Sequence, residues 1–226
     1  MKYFLIIAGT LLLLIFVGYR YFQNKMISSQ ERGFKQLASL QLQESPRHFP
    51  DSLRLSDALF WELIENSKDQ YPQDFNLQME HLTTQLSNFS NEQIVGFEMT
   101  LRQKVIALWD YRVKSLYQII YGHYLSSDGF LYFRFWVISN GHSFYETVLE
   151  DTDEIANQIA ITHNGEGLLV VADKAFLMKN GDATNLELPR DRAGEVDYDF
   201  GNYKMTGTYI GIEDFQKHFP KLTEKF

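Results

Sequence analysis

The chain contains no cysteine. That excludes disulfides, cysteine metal sites, a cysteine nucleophile and a lipidated-cysteine anchor, and it leaves the redox compartment open. Positive charge is also scarce. Twenty-one Lys and Arg stand against 29 Asp and Glu, a net charge of −8, with no local basic cluster. Non-specific nucleic-acid binding depends on neutralising phosphates with Lys and Arg, so no nucleic-acid partner is expected. The six histidines, His48, His81, His123, His142, His163 and His218, include no i,i+4 pair and no metal-ligand spacing. No metal and no cofactor are expected. Gly165-Glu166-Gly167 lacks the third glycine and the lysine of a phosphate loop and reads as loop punctuation. Glu150, Asp151, Asp153 and Glu154 read as a solvated acidic turn, with cation binding as the second reading. No internal repeat or low-complexity tract is present.

What the chain has is apolar mass. It is 45% hydrophobic and 15% aromatic over 226 residues, enough for one domain with a sizeable core plus an extension. Residues 3–19 carry no charge; Lys2 precedes them and Arg20 follows. With Tyr21 and Phe22 the apolar helix reaches about 20 residues, or about 30 Å, the thickness of a bilayer core. Residues 1–22 therefore read as a single-pass membrane anchor, touching the membrane through residues 3–22. A cleaved signal peptide is the rival reading, although the run is long for one and no small-x-small site follows closely. A buried soluble helix is the third. Arg20, Lys25, Arg32 and Lys35 follow the run. The positive-inside rule then puts the C-terminal side in the cytoplasm, with a periplasmic domain as the alternative.

Residues 23–54 read as a stalk, rich in Gln, Ser and charge and closed by Pro46 and Pro50. The anchor helix can run on into this region before Gly33. From residue 55 the pattern is that of an all-α, multi-helix domain. Ser56 caps a helix with Leu59, Phe60, Leu63 and Ile64 on one face. Pro72 suits the first turn of the next, which carries Phe75, Met79, Leu82 and Leu86. Ser90 and Gln93 form a capping box ahead of Ile94, Phe97, Leu101 and Val105. A fourth helix holds Val113, Leu116, Tyr117 and Ile120 and ends near Gly122.

The organising stretch follows. Residues 128–140 are apolar on every side except for Arg134, so they form the buried central helix of the domain, with Asp128 as N-cap and Gly141 as terminator. Beyond it come short helical segments through Phe144 and Val148 and near Asp153. One amphipathic helix is expected over residues 166–179, a loop over 182–202, a minor hairpin near 203–212 and a last helical turn over 213–218, ending before Pro220.

Asp128, Gly129 and Phe130, then Tyr132, Phe133, Arg134, Trp136, Ile138, Gly141 and Tyr145, resemble the signature of a bacterial family, domain of unknown function 4240. Flanking pieces in the same order are Phe60-Trp61 with Leu63-Ile64-Glu65, Leu86-Ser87 with Ile94 and Phe97, Gly167-Leu168-Leu169 with Val171-Ala172 and Ala175, and Phe219-Pro220-Lys221-Leu222 with Lys225-Phe226. The resemblance runs over roughly residues 55–226. It implies a helical fold, a bacterial source and no assigned activity.

Few polar residues are oddly placed. Arg134 needs a carboxylate or several carbonyls, and Glu98, on the buried side of its own helix, is the expected partner. That pair fixes packing register, or else Arg134 is an anion-binding arginine at a pocket floor. Asp128 needs no role beyond a cap, but with nearby His123 it also forms a conceivable acid/base pair. Trp61, Trp109 and Trp136 fall on helical faces and read as core, with Trp136 the candidate to line a site beside Arg134. Two functions stay open. One is a tethered interaction or regulatory module without catalysis, in the bacterial inner membrane, with an unknown protein partner. The alternative is a small hydrolase-like enzyme with a pocket around His123, Asp128 and Arg134.

Overall fold

A computed structural model describes residues 2–39, 49–160, 162, 164–181, 185–194, 196 and 204–226, and in the first helix the side chains of residues 12–33. All regular structure among the described residues is helical. The helices are α1 (Lys2–Ser39), α2 (Asp57–Gln70), α3 (Phe75–Ser87), α4 (Asn91–Ala107), α5 (Tyr111–Ile120), α6 (Ser127–Ser139), α7 (His142–Glu150), α8 (Glu166–Leu169), α9 (Val171–Asn180), α10 (Pro189–Arg192), α11 (Phe215–His218) and α12 (Pro220–Lys225).

α6 is the centre. Nine of its side chains, Phe130, Leu131, Phe133, Arg134, Phe135, Trp136, Val137, Ile138 and Ser139, are buried. α2, α4, α5, α7 and α8 surround it, while α9 covers α3 and α4 on one flank. A stretch apolar all round forms a helix only where neighbours cover every face, and each large side chain so buried contributes about 1.5–3 kcal/mol. Gly165 shows how close the cover is. A Cβ there would lie 2.2 Å from the Tyr132 carbonyl oxygen and 2.3 Å from the Trp136 nitrogen, so backbone packs on backbone and no larger residue fits. That contact, not a phosphate, accounts for the glycine.

The ends differ from expectation in ways the local chemistry explains. Ser126, not Asp128, caps α6: its Oγ accepts from the Gly129 N–H at 3.0 Å. Asp128 sits exposed in the first turn, where a carboxylate complements the helix dipole. Gly141, at φ +93°, follows the last turn and stops it. Asp74 rather than Pro72 starts α3, because its carboxylate reaches the Leu77 N–H at 3.0 Å and proline has no side-chain acceptor. The Ser56 cap and the Ser90–Gln93 capping box form as read. The expected helix over 166–179 breaks at Val170, which lies at ψ 3°, into α8 and α9. Past His218 the chain resumes as α12, with Pro220 in the first turn where a missing N–H costs nothing.

The hairpin expected near 203–212 is absent among the described residues. Residue 203 lies outside them, and the segment from Lys204 pairs with the α4–α5 connection instead. Thr206 receives the Tyr111 N–H at 3.1 Å and donates its own to Trp109 at 3.0 Å, as an isolated bridge. Two-stranded ribbons are marginal alone, and here the backbone groups find partners on the domain.

The first helix runs on into the stretch read as a stalk. α1 runs past Gly33 to Ser39, about 57 Å at about 1.5 Å per residue. Residues 40–48, with Pro46 and His48, lie outside the described residues, as do residues 182–184, His163 and most of 195–203. Residues 3–11 of the anchor are described in backbone only. Among the described residues no helix is long and apolar enough to cross a membrane.

Candidate functional site

The domain buries four ionisable groups whose placement is informative: Arg134, Glu98, Arg102 and Lys114. Arg134 is 2% exposed. Its Nη1 donates to the Val105 carbonyl at 3.2 Å. Its guanidinium carbon lies 5.0 Å from the Trp109 ring centroid and 5.2 Å from that of Phe130. A delocalised, weakly hydrated cation tolerates such a place, between a carbonyl and two π faces, better than an ammonium would.

Glu98 is not the partner of Arg134. Its Oε1 accepts from Arg102 Nε at 2.9 Å, one turn along α4. Arg102 goes on to donate to the carbonyls of Val196 at 2.8 Å and Arg190 at 2.9 Å, pinning α10 and its following turn to α4. The i,i+4 spacing within one helix beats the inter-helix pairing because no further ordering is needed to bring the groups together. Burial nonetheless pushes the Glu98 carboxyl above the usual carboxylate range, against the opposing pull of Arg102. Burial likewise raises Asp173, whose Oδ1 accepts the Arg190 N–H at 3.1 Å.

Trp136 is core. It lies 5.2 Å from Phe133 and 5.4 Å from Phe144 between ring centroids. The family-like pieces on α2 are structural as well. Glu65 Oε1 accepts the His142 N–H at 3.2 Å and so caps α7, while Lys68 Nζ reaches the Asn140 carbonyl at 2.5 Å and closes α6. α2 thus holds both sides of the Gly141 turn. Nearby, Lys104 lies over the rings of Trp61 and Tyr145 at 5.6 and 6.0 Å and pairs with Asp57 at 2.5 Å.

His123 and Asp128 do not meet. Asp128 accepts from Ser127 Oγ at 3.3 Å on the surface. His123, at φ +68°, turns its ring to Phe215 at 5.7 Å between centroids. Burial lowers its pKa, with Glu31 opposing. Arg134, under Trp109, faces neither. No group of three or more metal-ligating side chains forms among the described residues.

His123 leads instead to a cluster that pattern reading missed. Lys114 on α5 is fully buried. Its Nζ lies 3.7 Å from Oε1 of Glu31, which comes from α1. Gln118, one turn on, donates from Nε2 to Glu31 Oε2 at 3.3 Å, and the Tyr209 hydroxyl donates to Oε1. The Tyr209 ring also lies 4.8 Å from Lys114 Nζ. Next to this, Gln30 Oε1 accepts the Leu125 N–H at 3.3 Å. Burial lowers the Lys114 pKa, with the Glu31 carboxylate opposing. Burial and the bond to Glu31 raise that of Tyr209. One signal was legible: a lysine between Val113 and Leu116 in a helix poses the same question as Arg134 in α6.

Neither a curated protein nor a solved structure matches the chain. A family model does. Residues 56–177, more than half the chain, match the family described as Protein of unknown function (DUF4240). The match ends before the Phe219-Pro220 piece, and Glu31 and Tyr209 both lie outside it. The chain belongs to that family of unknown function.

Proposed function

We propose that the protein is a membrane-tethered helical module that acts by interaction or regulation, without catalysis, at the bacterial inner membrane. The observation that carries the reading is α1. Leu12, Leu13, Leu14, Ile15, Phe16, Val17, Tyr19, Tyr21 and Phe22 all stand exposed on it, while Gln30 and Glu31, two to three turns on, dock onto the domain. Together with residues 3–11, which carry no charge, that exposed apolar surface supports the reading of an anchor. The polar turns after it hold the domain beside the membrane. Arg20, Lys25, Arg32 and Lys35 favour a cytoplasmic domain by the positive-inside rule.

The hydrolase-like alternative requires His123, Asp128 and Arg134 to converge on one point. A buried Arg134, a surface Asp128 and a His123 turned to Phe215 give it no support. Alkaline carbonate extraction of cells expressing the full chain tests the anchor. Retention in the membrane pellet is expected, and release into the supernatant overturns the tether. A C-terminal reporter that is active only in the periplasm would invert the orientation.

A further inference from the structure

Glu31 is the acceptor at the centre of a site whose other members belong to the domain. Lys114 and Gln118 lie on one face of α5, one turn apart, and Tyr209 closes the third side. Both oxygens of the carboxylate are engaged, one by Gln118 and the other by Lys114 and Tyr209. Such charge-assisted contacts are about twice as strong as neutral hydrogen bonds and suit a carboxylate. Over its described side chains, residues 12–33, the helix that brings Glu31 is held differently from the other long helices. Among the described residues, no apolar side chain of α1 enters either cluster of the hydrophobic core. Over that stretch α1 is seated through the polar contacts of Gln30 and Glu31, with Met26 and Ile27 half-buried, so along residues 12–33 little apolar area opposes its release.

We propose that Lys114, Gln118 and Tyr209 form a carboxylate-binding site, filled in cis by Glu31, and that a carboxylate supplied in trans takes Glu31's place when α1 lifts away. The site names the chemistry of the partner: an acidic side chain on a protein segment, or a free small carboxylate. It rests on the reading of the domain as an interaction module. A tethered Glu31 acts at high effective concentration, so it holds the site closed against weak competitors and admits a partner that binds well or arrives tethered itself.

The test uses the full chain in detergent micelles, with Glu31→Ala, Glu31→Gln and the double variant Glu31→Ala with Lys114→Met. Two probes are titrated at matched ionic strength: sodium acetate, and a peptide of residues 23–39 of this chain, with a control peptide carrying Gln at position 31. Binding is read by calorimetry and by the shift in melting temperature. The vacated site of Glu31→Ala should bind the Glu-bearing peptide roughly ten-fold or more tightly than the wild-type chain does, because the tethered competitor is gone. The control peptide and the double variant should show that gain abolished. Acetate binding by Glu31→Ala identifies a small-carboxylate site, and peptide binding without acetate binding identifies a protein segment; either supports the proposal. Equal affinity of wild type and Glu31→Ala, equal binding of the two peptides, or no binding of either probe overturns it. If Glu31→Ala loses its cooperative melt, Glu31→Gln takes its place in the same titration. Unfolding of both overturns the proposal too, since a releasable helix must leave a folded domain behind. Membrane retention is scored separately by carbonate extraction, so failure of the tether and failure of the carboxylate site are distinguishable.

Discussion

Arg134 and Lys114 are both buried cations on helices of one domain, and the protein treats them differently. Arg134, at 2% exposure, is met by a carbonyl and two aromatic faces from α4, the α4–α5 connection and α6 itself. Lys114, fully buried, is met by a carboxylate from a helix outside the family match. The difference follows from the groups. A guanidinium spreads its charge and cannot readily lose it, so it is settled once, inside the core. An ammonium is a compact, strongly hydrated charge that either needs an anion or gives up its proton when desolvated. The first arrangement is permanent packing. The second is a contact between two parts of the chain that can separate.

The largest effect is expected at the pair inside α4. Glu98→Ala leaves Arg102 buried beside the vacated carboxylate position, and removing one partner of a buried pair costs about 3–5 kcal/mol. Arg102→Met should cost less, because Glu98, already raised by burial, can take up a proton. The double variant Glu98→Leu with Arg102→Met should recover much of the loss. Denaturant melts of the three decide it, and additive losses would show that the two residues do not act as a pair. Arg134→Met comes next, at about 1–3 kcal/mol. Its contacts with Val105, Trp109 and Phe130 are to a carbonyl and two rings, none of them shared with Glu98. Combining it with Glu98→Ala should give additive losses, in contrast to the Glu98–Arg102 cycle.

How much of this was readable divides along the same line. The central helix was legible because no face of residues 128–139 is polar except at Arg134, and only burial explains that. The Ser90–Gln93 box was legible because capping is local. The partner of Arg134 was not. Glu98 sat on the right face, but Arg102, four residues on, was nearer in the same helix, and the i,i+4 pair won. Trp109, which covers Arg134, lies in the short link between α4 and α5, where helical periodicity says nothing about direction. Lys114 stands out little because Val113, Leu116 and Tyr117 dominate the apolar pattern of its helix. Its partner Glu31 is 83 residues away in a stretch that composition marks as a solvated stalk, and no local pattern joins the two.

Lys114→Met sharpens the comparison with Arg134→Met. It leaves Glu31 without its cation, but α1 can carry Glu31 into solvent, so the domain itself should lose no more than about 1 kcal/mol. What changes is the helix. Trypsin cleavage after the exposed Arg32 should accelerate several-fold in Lys114→Met and stay at the wild-type rate in Arg134→Met. Equal rates in both variants would show that Lys114 does not hold α1.

The smallest effect is the pH dependence that the buried acid imposes. Glu98 faces Arg102 on its own helix and, from the elements packed against α4, Arg190 and Asp173. Burial outweighs the two cations, so its folded-state pKa lies above the unfolded value. The native state then holds more protons than the unfolded state between the two values, and stability falls as pH rises through that window. The contribution is fully present below the unfolded carboxylate pKa, about 4.3, and is lost as pH rises through the raised folded value. His123 pulls the other way. Its folded pKa is lowered by burial, so its contribution is present above about 6.5 and is lost as pH falls through the folded value. Glu98→Gln removes the first dependence and leaves the second. Denaturant midpoints at several pH values should therefore decline less steeply with rising pH in Glu98→Gln than in wild type, across the window just above the unfolded carboxylate pKa. An unchanged slope would mean that Arg102 holds Glu98 charged at both ends of that window, and the pair inside α4 would then be as permanent an ion pair as its geometry permits.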